Sequence, residues 1–82
     1  MHELAIMQEI LEIVTRNAHS HGLHRVTKIK LVIGKLRAVE PECLEFCFNV
    51  LKEDIPLIAK AALEIEIKEI GNELYVDCIE GD

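Results

Sequence analysis

The spacing of apolar residues changes period along the chain, and this constrains the fold more than any other feature. Residues 4 to 18 repeat at helical spacing: Leu4, Met7, Leu11, Val14 and Ala18 step by three and four, and Ile6, Ile10 and Ile13 widen the stripe. Gly22 is a natural stop, with His19, His21 and His24 near the negative end of the helix dipole. Residues 26 to 33 switch to a period of two. Ile29, Leu31 and Ile33 face one side, and Lys28, Lys30 and Val32 the other, as in a strand. Residues 35 to 39 extend that strand or form a loop. Pro41 suits a helical first turn, with acids Glu40 and Glu42 beside it. Leu44, Cys47, Phe48 and Leu51 then predict a second amphipathic helix over 41–52. Pro56 blocks its continuation, and residues 57–61 leave room for one more turn.

Residues 62 to 70 alternate again, with Leu63, Ile65 and Ile67 opposite Glu64, Glu66 and Lys68. Gly71-Asn72 follows and reads as a two-residue hairpin loop, with a return strand over 73–79. In that register Ile70 faces Glu73, Ile67 faces Val76, Ile65 faces Cys78 and Lys68 faces Tyr75. Glu66 would face Asp77, a like-charge pair. The expected fold is α+β: two helices packed on a small three-stranded sheet, in the order helix-strand-helix-strand-strand. At 82 residues, with 50% of them apolar, the chain is expected to form a single domain over 1–82.

Charge excludes several partners. Acids outnumber bases 15 to 9, a net charge of −6, which argues against nucleic acid and against an anionic membrane surface. No apolar run approaches the roughly 18 residues of a membrane span. The first residues lack the basic start and apolar stretch of a secretory signal, and an odd count of 3 cysteines suits a reducing cytoplasm.

The residue with the most chemical scope is His2. The amine of Met1, the deprotonated amide nitrogen of His2 and its imidazole can close adjacent chelate rings on one metal. Nitrogen donors in a near-planar array suit Ni(II) or Cu(II), whereas zinc prefers a tetrahedron. The amide of Glu3, a side chain or a partner's donor would complete the set. Binding would strengthen with pH as the amine loses its proton. The competing reading is an ordinary exposed histidine near a start codon.

Other clusters carry less. His19, His21 and His24 lie close in sequence, but i and i+2 diverge on a helix, so a solvated helix end is the plainer reading. Cys43 and Cys47 can share a helix face, with Cys78 as a third thiol. Cys47 and Cys78, however, fall in the apolar pattern expected for the core. Glu3, Glu40 and Glu42 could assist a metal, though acids at helix starts usually act as caps and dipole partners. The glycines are scattered, and Thr15 and Ser20 lack a nucleophile-elbow context, so no catalytic machinery is legible.

Several blocks together carry a resemblance. They are Met1-His2-Glu3-Leu4, Val32-Ile33-Gly34-Lys35-Leu36, Val39-Glu40-Pro41-Glu42 with Leu44, Phe46 and Phe48, Ala62-Leu63-Glu64-Ile65-Glu66, and Gly71-Asn72-Glu73-Leu74-Tyr75-Val76. Over essentially the whole chain, this set resembles the HypA/HybF family of hydrogenase maturation factors, which are nickel metallochaperones. The resemblance implies Ni(II) bound through His2, with the Met1 amine and the backbone amides of His2 and Glu3 as further donors; Glu40 is a candidate auxiliary ligand. It implies a nickel-binding GTPase of the hydrogenase pathway and the hydrogenase large subunit as partners, with urease maturation for some members. The family carries a zinc domain with two Cys-x2-Cys pairs between its last two strands. No Cys-x2-Cys occurs here, and Ile70-Gly71-Asn72-Glu73 stands in that place, so zinc is not expected. Three functions follow as expectations: a cytoplasmic nickel carrier, monomeric or homodimeric; a metal-independent domain that docks on the maturation partners; and, last, a small enzyme.

Overall fold

The computed structural model describes residues 2–82. Two helices, α1 (Glu3–Ser20) and α2 (Pro41–Leu51), pack on a sheet of β1 (Val26–Gly34), β2 (Ala62–Lys68) and β3 (Leu74–Gly81). The element order is the one the periodicity predicts. Short 3-10 turns at Lys35–Arg37, Lys52–Asp54 and Pro56–Ile58 join the regular elements. The segment after β1 is therefore a loop and not more strand. It turns at Ala38, which is left-handed at φ 58° although it is not glycine.

α1 ends as its glycine suggests. Gly22 has φ 69°, its N–H bonds the His19 carbonyl, and the Leu23 N–H reaches back to Ala18 at 2.9 Å. This pairing satisfies the last carbonyls of the helix. Met7, Ile10, Leu11, Val14 and Ala18 form the buried face of α1. They meet Leu44 and Phe48 of α2 and Ile29, Leu31 and Ile33 of β1 in one apolar core. Among the described residues no polar or charged residue is fully buried. Each such apolar side chain contributes roughly 1.5–3 kcal/mol by leaving water.

The sheet departs from the expected hairpin. Its order is β2-β1-β3: β1 is central, parallel to β2 and antiparallel to β3. The Gly71-Asn72 segment thus crosses the end of β1 instead of folding β3 back onto β2. Ile67 pairs with Ile33, Ile65 and Val76 both pair with Leu31, Lys68 pairs with Gly34 and Tyr75 with Val32. The crossing is tied down by Gly34 N–H to the Glu73 carbonyl at 2.7 Å and Leu36 N–H to the Gly71 carbonyl at 2.9 Å.

The charge pattern agrees with this order, although exposed ion pairs add only about 0–1 kcal/mol each. β1 carries Lys28 and Lys30 on its outer face, whereas β2 and β3 carry acids there. Placing β1 in the middle sets Lys28 2.9 Å from Glu64 and 3.9 Å from Glu80. It sets Lys30 3.2 Å from Glu66 and 4.0 Å from Asp77. The like-charge pair Glu66–Asp77 of the hairpin register becomes two acids sharing one lysine. Val32, on the same outer face, is buried between Glu66 and Tyr75.

Cys78 is a second correction. The register of β3 shifts between its pairings with Lys30 and Leu31, where Asp77 is the extra residue. The bulge moves Cys78 to the outer face opposite Lys30, exposed, and turns Ile79 toward the core in its place.

Candidate metal centre

His2 is the residue before α1, at φ −90° and ψ 79°, exposed, and its side chain makes no capping hydrogen bond. Its carbonyl accepts the N–H of Ile6 at 3.1 Å, the first bond of the helix. The amides of His2 and Glu3 precede that bond, so no carbonyl within the helix claims them. Deprotonating them for a metal would break no helical hydrogen bond. The positive end of the helix dipole also favours a negatively charged nitrogen. Met1, the third expected donor residue, lies outside the described residues.

Glu3 links this end of α1 to α2. Its Oε2 accepts the backbone N–H of Glu40 at 3.2 Å. That bond, followed by the one from its own amide, holds the Glu3 carboxyl below its ordinary value of 4.5. Glu40 is the residue before Pro41 at the start of α2, and its own side chain caps nothing there. The Glu3 carboxylate thus places negative charge at the α2 N-terminus, where the dipole favours it. Sequence reasoning grouped Glu3, Glu40 and Glu42 as acids that could assist a metal, but did not establish that the Glu3 carboxylate meets the Glu40 main chain. The one hint was Pro41, which marks Glu40 as the residue ahead of a helix.

The other candidates are not gathered. His19, His21 and His24 are exposed around the turn at Gly22, and the His21 ring Nδ1 is committed to the Asn17 carbonyl at 2.8 Å. Cys43 is exposed and Cys47 half-buried on α2, whereas Cys78 is exposed on β3, paired with Lys30 of β1. Among the described residues, no group of three or more His, Cys, Asp or Glu side chains is placed to hold a metal ion. Nor is any helix among the described residues long and apolar enough to cross a membrane.

Comparison with known proteins agrees on one family. A family profile described as "Hydrogenase/urease nickel incorporation, metallochaperone, hypA" matches residues 1–80. The hydrogenase maturation factor HypA of Moorella thermoacetica is 49% identical over 70 residues, covering 85% of this chain and 61% of that protein. HypA of Methanosarcina barkeri is 41% identical over 78 residues, covering 95% of this chain and 56% of the other. The chain thus spans less than two thirds of the length of these relatives. The solution structure of the nickel metallochaperone HypA from Helicobacter pylori shares the fold, with a TM-score of 0.78 at 15% identity over 95% of this chain and 72% of that one.

Proposed function

The chain belongs to the HypA family of hydrogenase and urease nickel-incorporation metallochaperones, and from that premise we propose that it carries Ni(II) for the maturation of a nickel–iron hydrogenase. The cargo is held by the Met1 amine, the imidazole and amide of His2 and the amide of Glu3. It is passed to a nickel-binding GTPase of that pathway and to the hydrogenase large subunit. The protein acts as a carrier and not as a catalyst. The observation that carries the reading is the exposed His2 placed immediately before the first hydrogen bond of α1. There an imidazole adjoins amides that no helix carbonyl claims.

Four nitrogens around one ion favour Ni(II) and Cu(II) over zinc. The ligand set must lose protons to form, so affinity rises with pH and binding releases protons. Its donors are few and lie at an exposed end, which suits release to a partner with a fuller site. The Glu3 carboxylate supports the arrangement by fixing the start of α1 against Glu40. Over residues 1–82, without any Cys-x2-Cys pair, the nickel-binding domain works without zinc, and the segment at 70–73 stands where the family inserts its zinc module.

The test is calorimetric titration of the untagged chain with Ni(II) at two pH values. The expected result is one ion per chain, tighter at the higher pH, with proton release. Binding should vanish in His2→Ala and equally in a chain extended at its N-terminus, which consumes the amine. Retention of tight binding in either variant refutes the assignment.

A further inference from the structure

β3 is an edge strand. β1 pairs with one side of it, and among the described residues no strand pairs with the other. A groove of about 450 Å³ runs along that free side, between β3 and the Ile13–His21 stretch of α1. Consecutive residues Leu74 to Ile79 line it although their side chains alternate between faces. The floor is therefore the backbone edge of the strand. Smaller hollows continue the groove at both ends, past Arg37 at one and past Leu23 at the other. Ile13 stands on its α1 wall and remains 37% exposed.

Charge decides what such an edge accepts. Asp77 and Glu80 lie on β3 and reach Lys30 and Lys28 only at 4.0 and 3.9 Å. Those lysines have closer partners on β2, Glu66 at 3.2 Å and Glu64 at 2.9 Å. β3 is thus left with under-compensated acids on its outer face and half-buried apolar residues, Leu74, Val76 and Ile79, on its inner one. A second copy of β3 laid antiparallel and centred on Asp77 would oppose acid to acid. The strand that β3 already accepts on its other side, β1, alternates lysine with isoleucine and leucine. An incoming strand of the same pattern would set apolar side chains toward α1 and cations toward Asp77 and Glu80.

We propose that the free edge of β3 and its groove against α1 form a docking site for an extended segment of a partner protein in which apolar and basic residues alternate. The segment adds a fourth strand by main-chain hydrogen bonding, and its alternate side chains fill the groove. This site is separate from the metal-binding terminus, and its occupancy does not depend on nickel.

The test uses the full chain, labelled with ¹⁵N, and a blocked seven-residue peptide that alternates lysine with valine. Two controls are the same pattern with glutamate for lysine and a peptide of the same composition with its lysines grouped at one end. The alternating lysine peptide should bind saturably. It should shift the amides of Leu74–Ile79 and slow their hydrogen exchange, and it should bind at least about tenfold tighter than the glutamate form, since like charges oppose docking. Asp77→Lys with Glu80→Lys should invert that preference. Ile13→Lys, a change on the exposed helix wall that spares the sheet, should weaken the lysine peptide without unfolding the protein. Equal binding of the grouped peptide, shifts centred away from β3, no saturable binding at millimolar peptide, or a β3-mediated dimer of the free protein would each overturn the proposal.

Discussion

Replacing Gly34 by alanine tests the strand order directly. A Cβ built at Gly34 lands on the carbonyl oxygen and carbon of Gly71 and on Oε1 of Glu73, because the segment between β2 and β3 crosses there. The backbone at Gly34, φ −76° and ψ 139°, is open to any residue, so conformation alone does not oppose the change. Fewer unfolded conformations would make alanine stabilising by about 0.4–1 kcal/mol. Overpacking opposes this with roughly 1–3 kcal/mol. The obstacle is main chain held by the bonds Gly34 N–H to Glu73 and Leu36 N–H to Gly71. Moving it aside puts those bonds at risk, about 0.5–1.5 kcal/mol each. The expected net is a loss of about 1–3 kcal/mol. For a domain of this size that lowers the melting temperature by about 5–20 °C. Urea unfolding followed by circular dichroism measures it. If β2 and β3 formed a hairpin, nothing would cross Gly34 and the variant would be as stable as the parent or more so; that result would refute the topology. Glu73→Ala in the same background separates the two obstacles. Most of the loss should persist, because the Gly71 carbonyl remains.

Other perturbations read other parts of the molecule. Ala38→Gly should stabilise by about 0.5–1 kcal/mol in the same assay, since its left-handed backbone strains an L-residue. Acid should weaken the fold: the Glu3, Glu64 and Asp82 carboxyls are held below their ordinary 4.5, 4.5 and 3.8 by hydrogen bonds from Glu40, Lys28 and Arg25 respectively. Lowered folded values mean that this stability is fully present above the ordinary values and is lost as pH falls through the folded ones. Melting between about pH 6 and about pH 3 should show the decline, shallower in Glu64→Gln. His2→Ala should leave the melting temperature unchanged within about 0.5 kcal/mol of stability while abolishing nickel binding, because the side chain is exposed and caps nothing. A thiol reagent should modify Cys43 and Cys78 in the native protein well before Cys47, which is half-buried against the core.

The proposed donor set could be named from the sequence because its chemistry is local, although only the family resemblance favoured it over an ordinary exposed histidine. An imidazole one residue from a chain terminus, followed at once by an amphipathic helix, specifies which nitrogens adjoin. The contact between Glu3 and Glu40 was not legible, since it joins the starts of two helices far apart in sequence. The groove along β3 escaped notice for the same reason: it exists only because α1 and an unpaired strand edge lie side by side.

Element identity also followed from neighbours in sequence. The helical stripe from Met7 to Ala18, the alternation from Val26 to Ile33 and the stop at Gly22 each depend on spacings within one element. Strand order does not. A glycine–asparagine pair between alternating runs satisfies a hairpin as readily as a crossing, and either join leaves apolar residues on one face. The choice is non-local. Only the assembled sheet sets Lys28 and Lys30 between acids on both sides, and only a bulge at Asp77 then carries Cys78 out and Ile79 in. The sequence determined the elements through short-range periodicity, and through short-range bonding it determined which nitrogens of the proposed donor set adjoin. The tertiary structure decided which strand lies in the middle, because that depends on charges and packing brought together from distant parts of the chain.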